Sequence, residues 1–97
     1  MITKTQKKYL RGLANTLKPL VQIGKGGLTD GILMSVDEVL TAHELLKVDV
    51  LKSCETEASE LAIEIASETK SDIVTQIGRK IVLYRKNPKK SIIELPR

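Results

Sequence analysis

The sequence predicts an α/β fold: one domain over residues 1–97, a sandwich of order α-β-α-β-α-β-β with helices packed on a four-stranded mixed sheet. Three observations predict it. Stretches of helical period alternate with short apolar runs of strand character along the chain. A glycine loop, Gly24-Lys25-Gly26-Gly27, joins the first apolar run to the helical pattern behind it. Near the C-terminus, Gly78-Arg79 separates two apolar runs by a tight turn, the mark of an antiparallel hairpin. The 97 residues are 41% hydrophobic, enough for one core, and with no Phe or Trp that core is Leu, Ile, Val and Ala.

Each element has its own local warrant. Thr3 or Thr5 caps a first helix that runs to about Asn15 or Leu17, ahead of Pro19. Tyr9, Leu10, Leu13 and Leu17 fall on its apolar side, so Tyr9 is expected in the core; Lys4, Lys7, Lys8 and Arg11 fall opposite. Leu20 to Ile23 is a short strand, expected to be parallel and buried. Thr29 caps a second helix to about Thr41–Glu44, with Ile32, Val36, Val39 and Leu40 as its stripe. Leu45 to Leu51 alternates Leu46, Val48 and Val50 against Lys47 and Asp49, a strand with one buried face. Ser53 is a plausible cap for a third helix to about Thr69, with Ala58, Leu61, Ala62 and Ile65 inward and Glu57, Glu60, Glu64 and Glu68 outward. Asp72 to Ile77 and Lys80 to Arg85 form the hairpin. Ser91 to Leu95 is a last short strand or a packed tail. The helical crossovers make the early strands parallel neighbours, and the hairpin makes the sheet mixed.

Charge is segregated. Residues 1–28 carry six cations and no acid; residues 29–72 carry eleven acids against Lys47, Lys52 and Lys70; residues 73–97 carry seven cations against Glu94. Two basic ends folded onto one face would attract a polyanion. The alternative is solvated charge that only keeps the chain soluble. The lone Cys54 makes no intrachain disulfide, no secretory signal is visible, and no apolar run approaches the ~18 residues of a membrane span. A cytoplasmic protein without membrane attachment is expected.

Catalysis finds little support. His43 closes a helix beside Glu44, where a cation suits the dipole, and no nucleophile is spaced to partner it. One Cys and one His do not make a zinc site, so no metal or cofactor is expected. The loop lacks the spacing of a Walker A motif, and Thr29 stands where a dinucleotide fingerprint needs its last glycine. It does match GXXG, the element that clamps backbone nucleotides, and it lies between a strand and a helix start with Lys25 inside it. Modules that stack bases on sheet aromatics are disfavoured, since only Tyr9 and Tyr84 are present. Tyr84, in a strand, could stack a base.

Several stretches together resemble a CRM domain. They are Leu10-Arg11-Gly12-Leu13-Ala14, Leu17-Lys18-Pro19, Ile23 to Thr29, His43 to Val48, Ile77-Gly78-Arg79 and Val82-Leu83-Tyr84-Arg85. The likeness covers nearly the whole chain and is closest to the stand-alone bacterial form, the YhbY type. It implies a fold similar to the C-terminal domain of translation initiation factor three. It also implies RNA binding and association with ribosomal RNA in precursors of the large ribosomal subunit. The RNA surface it implies is the loop Gly24, Lys25, Gly26 and Gly27, with Lys7, Lys8 and Arg11 as positions of similar character. Charge alone adds Lys4, Lys18, Arg79, Lys80 and Arg85. A non-enzymatic monomer is expected. The rival expectation is a protein-binding adaptor whose acidic third helix docks a basic ribosomal protein; a nuclease using His43 is a weaker third.

Overall fold

The computed structural model describes residues 2–97. In chain order the elements are α1 (Lys4–Ala14), β1 (Val21–Ile23), α2 (Asp30–His43), β2 (Leu45–Val50), α3 (Ala58–Thr69), β3 (Asp72–Ile77) and β4 (Lys80–Tyr84). The strands form one mixed sheet in the order β1-β2-β4-β3. β1 runs parallel to β2, with Val21 opposite Val48 and Ile23 opposite Val50. β4 runs antiparallel to both β2 and β3. The α/β class and the element order expected from sequence are therefore present.

The two helix starts with side-chain caps are those the sequence marks. Thr3 and Gln6 form a reciprocal capping box, Gln6 N–H to Thr3 Oγ1 at 3.1 Å and Thr3 N–H to Gln6 Oε1 at 3.0 Å. Thr29 Oγ1 accepts from Ile32 N–H at 3.2 Å. The third helix departs from expectation. It starts at Ala58 behind Glu57, not behind Ser53, and Glu57 makes no side-chain cap bond. The intervening chain is used as a turn: Cys54 N–H donates to Leu51 O at 3.0 Å, and the Cys54 side chain is buried in the core.

Period-two alternation divides the core between the two faces of the sheet. On one face, Leu46, Val48 and Val50 of β2 and Ile81 and Leu83 of β4 pack with Val36 and Leu40 of α2 and Leu61 and Ile65 of α3. On the other, Leu45, Val82 and Tyr84 pack under Leu10 and Ala14 of α1. Val74, next after Ile73, faces this second cluster by alternation, and the register shift between Ile73 and Thr75 sets Thr75 opposite Val82 on the same side. β1 is an edge strand and only half buried; Gln22 is exposed and Leu20, just before it, is 60% exposed. Tyr9 is 43% exposed rather than in the core, because α1 is a single helix over a narrow strip of sheet and Leu10 fills the contact.

The C-terminal residues form a packed tail, with Ile93 and Leu95 against the α1-side cluster. Glu44 holds it. Fully buried, and at a positive φ of 66°, its carboxylate accepts from the N–H of Asn87 at 2.6 Å, of Ile92 at 2.8 Å and of Ile93 at 2.5 Å. Burial pushes this carboxyl up, but the three N–H groups and the Lys86 charge outweigh burial and hold it below the usual glutamate value. The sparsely populated positive-φ backbone costs on the order of 1–3 kcal/mol, which the three charge-assisted bonds offset.

The sign of the linkage follows from the lowered pKa. The stabilisation is complete above about pH 4.3, the ordinary glutamate value, and is lost as pH falls through the lower folded value. Glu44→Gln replaces one acceptor with a donor facing N–H groups and should cost about 2–4 kcal/mol at pH 7. In denaturant titrations it should also flatten the acid loss of stability.

Candidate nucleic-acid interface

The strand registers gather three connections at one end of the sheet. Ile23 ends β1 beside Val50, which ends β2; Asp49 lies opposite Lys80, which begins β4. Leu51 N–H donates to Ile23 O and Val50 N–H donates to Arg79 O, both at 2.8 Å. The glycine loop, the turn after β2 and the Gly78-Arg79 hairpin turn are thus joined by backbone bonds.

Within the loop, Gly27 N–H donates to Gly24 O at 3.0 Å and closes a turn with Lys25 and Gly26 at its tip. Gly27 has a φ of +67°, which glycine adopts without strain. Gly26 is different: it has no positive φ, and a Cβ there would meet nothing within 4 Å. The fold itself gives no reason for glycine at that position. At Gly24 a Cβ would touch Ser53 Oγ at 3.5 Å and Leu51 Cδ1 at 3.6 Å, ordinary contact. Lys25 is exposed, and the N–H groups of Lys25 and Gly26 find no acceptor among the described residues. α2 begins three residues after the loop, so its unpaired N–H groups and dipole face the same region. Asp30 also lies there, exposed in the first turn of α2, where it favours the helix and opposes a bound anion.

Of the predicted cations, the structure brings Arg79, Lys80 and Arg11 to this end. Arg79 Nη1 donates to Leu51 O at 3.3 Å, next to the Gly24 contact. Lys80 pairs with Asp49 at 2.9 Å but stays half exposed. Arg11, exposed on α1, lines a cleft together with Lys80. Lys4, Lys7 and Lys8 extend an exposed stripe from Arg11 back along α1, reaching roughly 10 Å at about 1.5 Å per residue. Lys18 is not gathered; it lies at the far end of β1, near His43, where both border an apolar cleft containing Leu13 and Leu17.

One predicted cation is placed elsewhere, and one open possibility closes. Arg85 is committed to the fold: Nη1 donates to Asp37 Oδ1 at 2.7 Å and Thr69 O at 2.8 Å, while Nη2 donates to Asp37 O at 3.0 Å and Thr41 Oγ1 at 2.8 Å. It ties α2 and the end of α3 to β4, and both terminal nitrogens of its guanidinium, the ones that would form a bidentate phosphate contact, are spent on protein acceptors. It also follows the far end of β4 from Lys80, roughly 14 Å away at about 3.4 Å per residue. Lys86 and Lys89 lie beside Thr41 and Lys70 at that same far end, so the C-terminal basic segment is split between two ends of the sheet. Tyr84 is buried and offers no ring for stacking; burial, with Glu44 and Asp72 nearby, pushes its phenol above the ordinary value.

Lys47 was missed by sequence reasoning. It occupies the α1-side face of β2, its Nζ donates to Ala14 O at 3.3 Å, and it lines the cleft between Arg11 and Lys80. The alternation that placed Lys47 opposite Val48 was the available signal. Among the described residues no group of three or more His, Cys, Asp or Glu is placed to hold a metal, and no helix is long and apolar enough to cross a membrane.

Residues 2–85 match the family model of the CRS1 / YhbY (CRM) domain. The chain is 41% identical to "Probable RNA-binding protein YqeI" of Bacillus subtilis, over 99% of this chain and 100% of that protein. It is also 41% identical to a Haemophilus influenzae protein named "RNA-binding protein", over 99% of this chain and 96% of the other. The solution structure of a hypothetical protein of Staphylococcus aureus superposes with a TM-score of 0.82 at 42% identity, covering 99% and 100% of the two chains.

Three substitutions separate fold from function by thermal melts. Arg85→Ala should cost about 1–3 kcal/mol, because Asp37 and the Thr69 carbonyl lose their partner. Gly27→Ala should cost about 1 kcal/mol through its positive φ. Gly26→Ala should melt within about 0.5 kcal/mol of the native protein.

Proposed function

This chain belongs to the CRS1 / YhbY (CRM) domain family, and from that premise and the geometry we propose that it is a non-catalytic RNA-binding protein. Its ligand is ribosomal RNA in precursors of the large ribosomal subunit, met in the cytoplasm by a monomer. The loop Gly24 to Gly27 lies against the RNA backbone, the Lys25 and Gly26 N–H groups and the first turn of α2 hold a phosphate, and Lys25 adds charge. Arg79, Lys80 and Arg11 carry the contact across the end of the sheet, and Lys4, Lys7 and Lys8 extend it along α1. Phosphate contacts dominate, so affinity is salt-dependent and the loop alone does not choose a sequence.

The observation that carries this reading is Gly26. Neither backbone conformation nor packing asks for glycine there. A ligand backbone approaching the turn tip would, since any Cβ stands in its path. The relatives' names, which say RNA-binding, support the same ligand class.

A second reading has one observation in its favour. On the outer face of α3, Ile63 is 65% exposed among Glu57, Glu60, Glu64 and Glu68, a surface suited to a basic protein. Nuclease treatment of large ribosomal particles decides between the two: release of the chain supports RNA binding, and retention supports the adaptor.

RNA affinity measured against salt tests the loop directly. Lys25→Glu should weaken binding by roughly 1–3 kcal/mol, and Lys25→Ala should flatten the logarithmic salt slope by about one. Gly26→Ala should weaken binding while leaving the melting temperature in place. Unchanged affinity and slope in all three would remove the loop from the interface.

A further inference from the structure

A cleft of ≈ 230 Å³ opens on the α1 side of the sheet, where α1 ends and leaves the hairpin end of the strands uncovered. Its floor is aliphatic. Ile77 is 70% exposed there, an unusual surface for a strand end, beside buried Val82 and Ala14. Its rim is cationic. The Arg11 guanidinium has no ion-pair or hydrogen-bond partner among the described residues, the Lys80 ammonium pairs only with Asp49, and the Lys47 ammonium donates only to Ala14 O. Between floor and rim stand the Asn15 amide and the Thr75 hydroxyl, and neither side chain has a hydrogen-bond partner among the described residues. Lys80, on its rim, adjoins Arg79, whose side chain donates to Leu51 O beside the glycine loop.

We infer that this cleft receives one unstacked nucleobase of a bound RNA strand, with the adjoining phosphates on Arg11 and Lys80. The inference rests on the RNA reading above and extends it from backbone holding to selection for an unpaired nucleotide. An apolar floor takes a base face, and an amide with a hydroxyl takes a base edge. The cations on either side take the negative charge that flanks every base in a strand. The volume fits: it would hold on the order of eight waters at about 30 Å³ each, room for one planar base. Asp49 beside Lys80 offsets part of that cation's charge, so Arg11 is the stronger of the two phosphate positions. With Tyr84 buried, the base packs on aliphatic side chains and no ring is required.

The test uses the full chain and three probes of about 12 nucleotides at one salt concentration: single-stranded oligouridylate, single-stranded oligoadenylate, and the duplex the two form. In the duplex the bases are stacked and paired and cannot enter the cleft. At least one single strand should bind roughly fivefold to tenfold tighter than the duplex, about the worth of one net hydrogen bond at the base edge. Thr75→Leu, which fills the cleft, and Ile77→Ala, which removes its floor, should lower single-strand affinity to the duplex level and leave duplex affinity unchanged. Both positions are partly or largely exposed, so both variants should melt as the native protein does. Equal affinity for strands and duplex in the native protein overturns the inference, as do variants that keep the native ratio. Lys25→Glu separates the two readings. If the loop holds phosphate, it weakens all three probes by a similar factor. If it changes none while Thr75→Leu abolishes the preference, the loop reading fails and the cleft stands.

Discussion

Strand β2 imposes the constraint on which the rest of the molecule depends. It is flanked by β1 and β4, and its side chains alternate between two cores. Leu46, Val48 and Val50 are at most 1% exposed, and burying three such side chains is worth roughly 1.5–3 kcal/mol each. A slip of one residue would turn all three toward α1 and send Lys47 and Asp49 into the α2/α3 core. The register is therefore fixed, and with it the place where β2 ends. Because β1 pairs with it in parallel and β4 in antiparallel, that end collects the glycine loop and the hairpin turn at once. The candidate interface is a consequence of strand pairing, and no separate device is needed to assemble it.

Charge is then distributed along the axis that β2 sets. At the loop end stand Lys25, Arg79, Lys80 and Arg11. At the far end Arg85 is spent on α2 and α3, while Glu44 turns its buried carboxylate on the tail. The acids of α3 lie on the helix's outward side, away from the sheet. The loop end joins its cations to a glycine turn with unpaired N–H groups, while at the far end Arg85 and Glu44 hold the fold together and the exposed Lys18, Lys70, Lys86, Lys89 and Lys90 surround no such turn.

Much of this was legible in the sequence, for physical reasons. Helix starts were readable where a side chain makes the cap, as at Thr3 and Thr29, and unreadable at Glu57, which caps without a side-chain bond. The alternation of β2 was readable because its two faces bury different chemistry. The glycine loop was readable from composition and position, but only coordinates separate Gly27, which the turn requires, from Gly26, which it does not. Tyr9 was misplaced because a helical wheel shows which side is apolar and not how much of that side finds a partner. Arg85 and Glu44 were unreadable, since their partners are distant in sequence: Asp37 and Thr41 lie more than forty residues from Arg85 and Thr69 sixteen, while Asn87, Ile92 and Ile93 lie more than forty from Glu44. A local pattern cannot distinguish a cation that faces solvent from one that ties helices together.

The central claim is that RNA meets the molecule at the end of the sheet where β1 and β2 finish. Backbone amide chemical shifts followed during titration with a single-stranded RNA test it most directly. The account predicts the largest changes at Lys25, Gly26, Asp30 in the first turn of α2, Arg79 and Lys80, with little change at Lys86 to Lys90 or along α3. Changes centred on α3, or on the Lys86 to Lys90 segment with the loop silent, would contradict it.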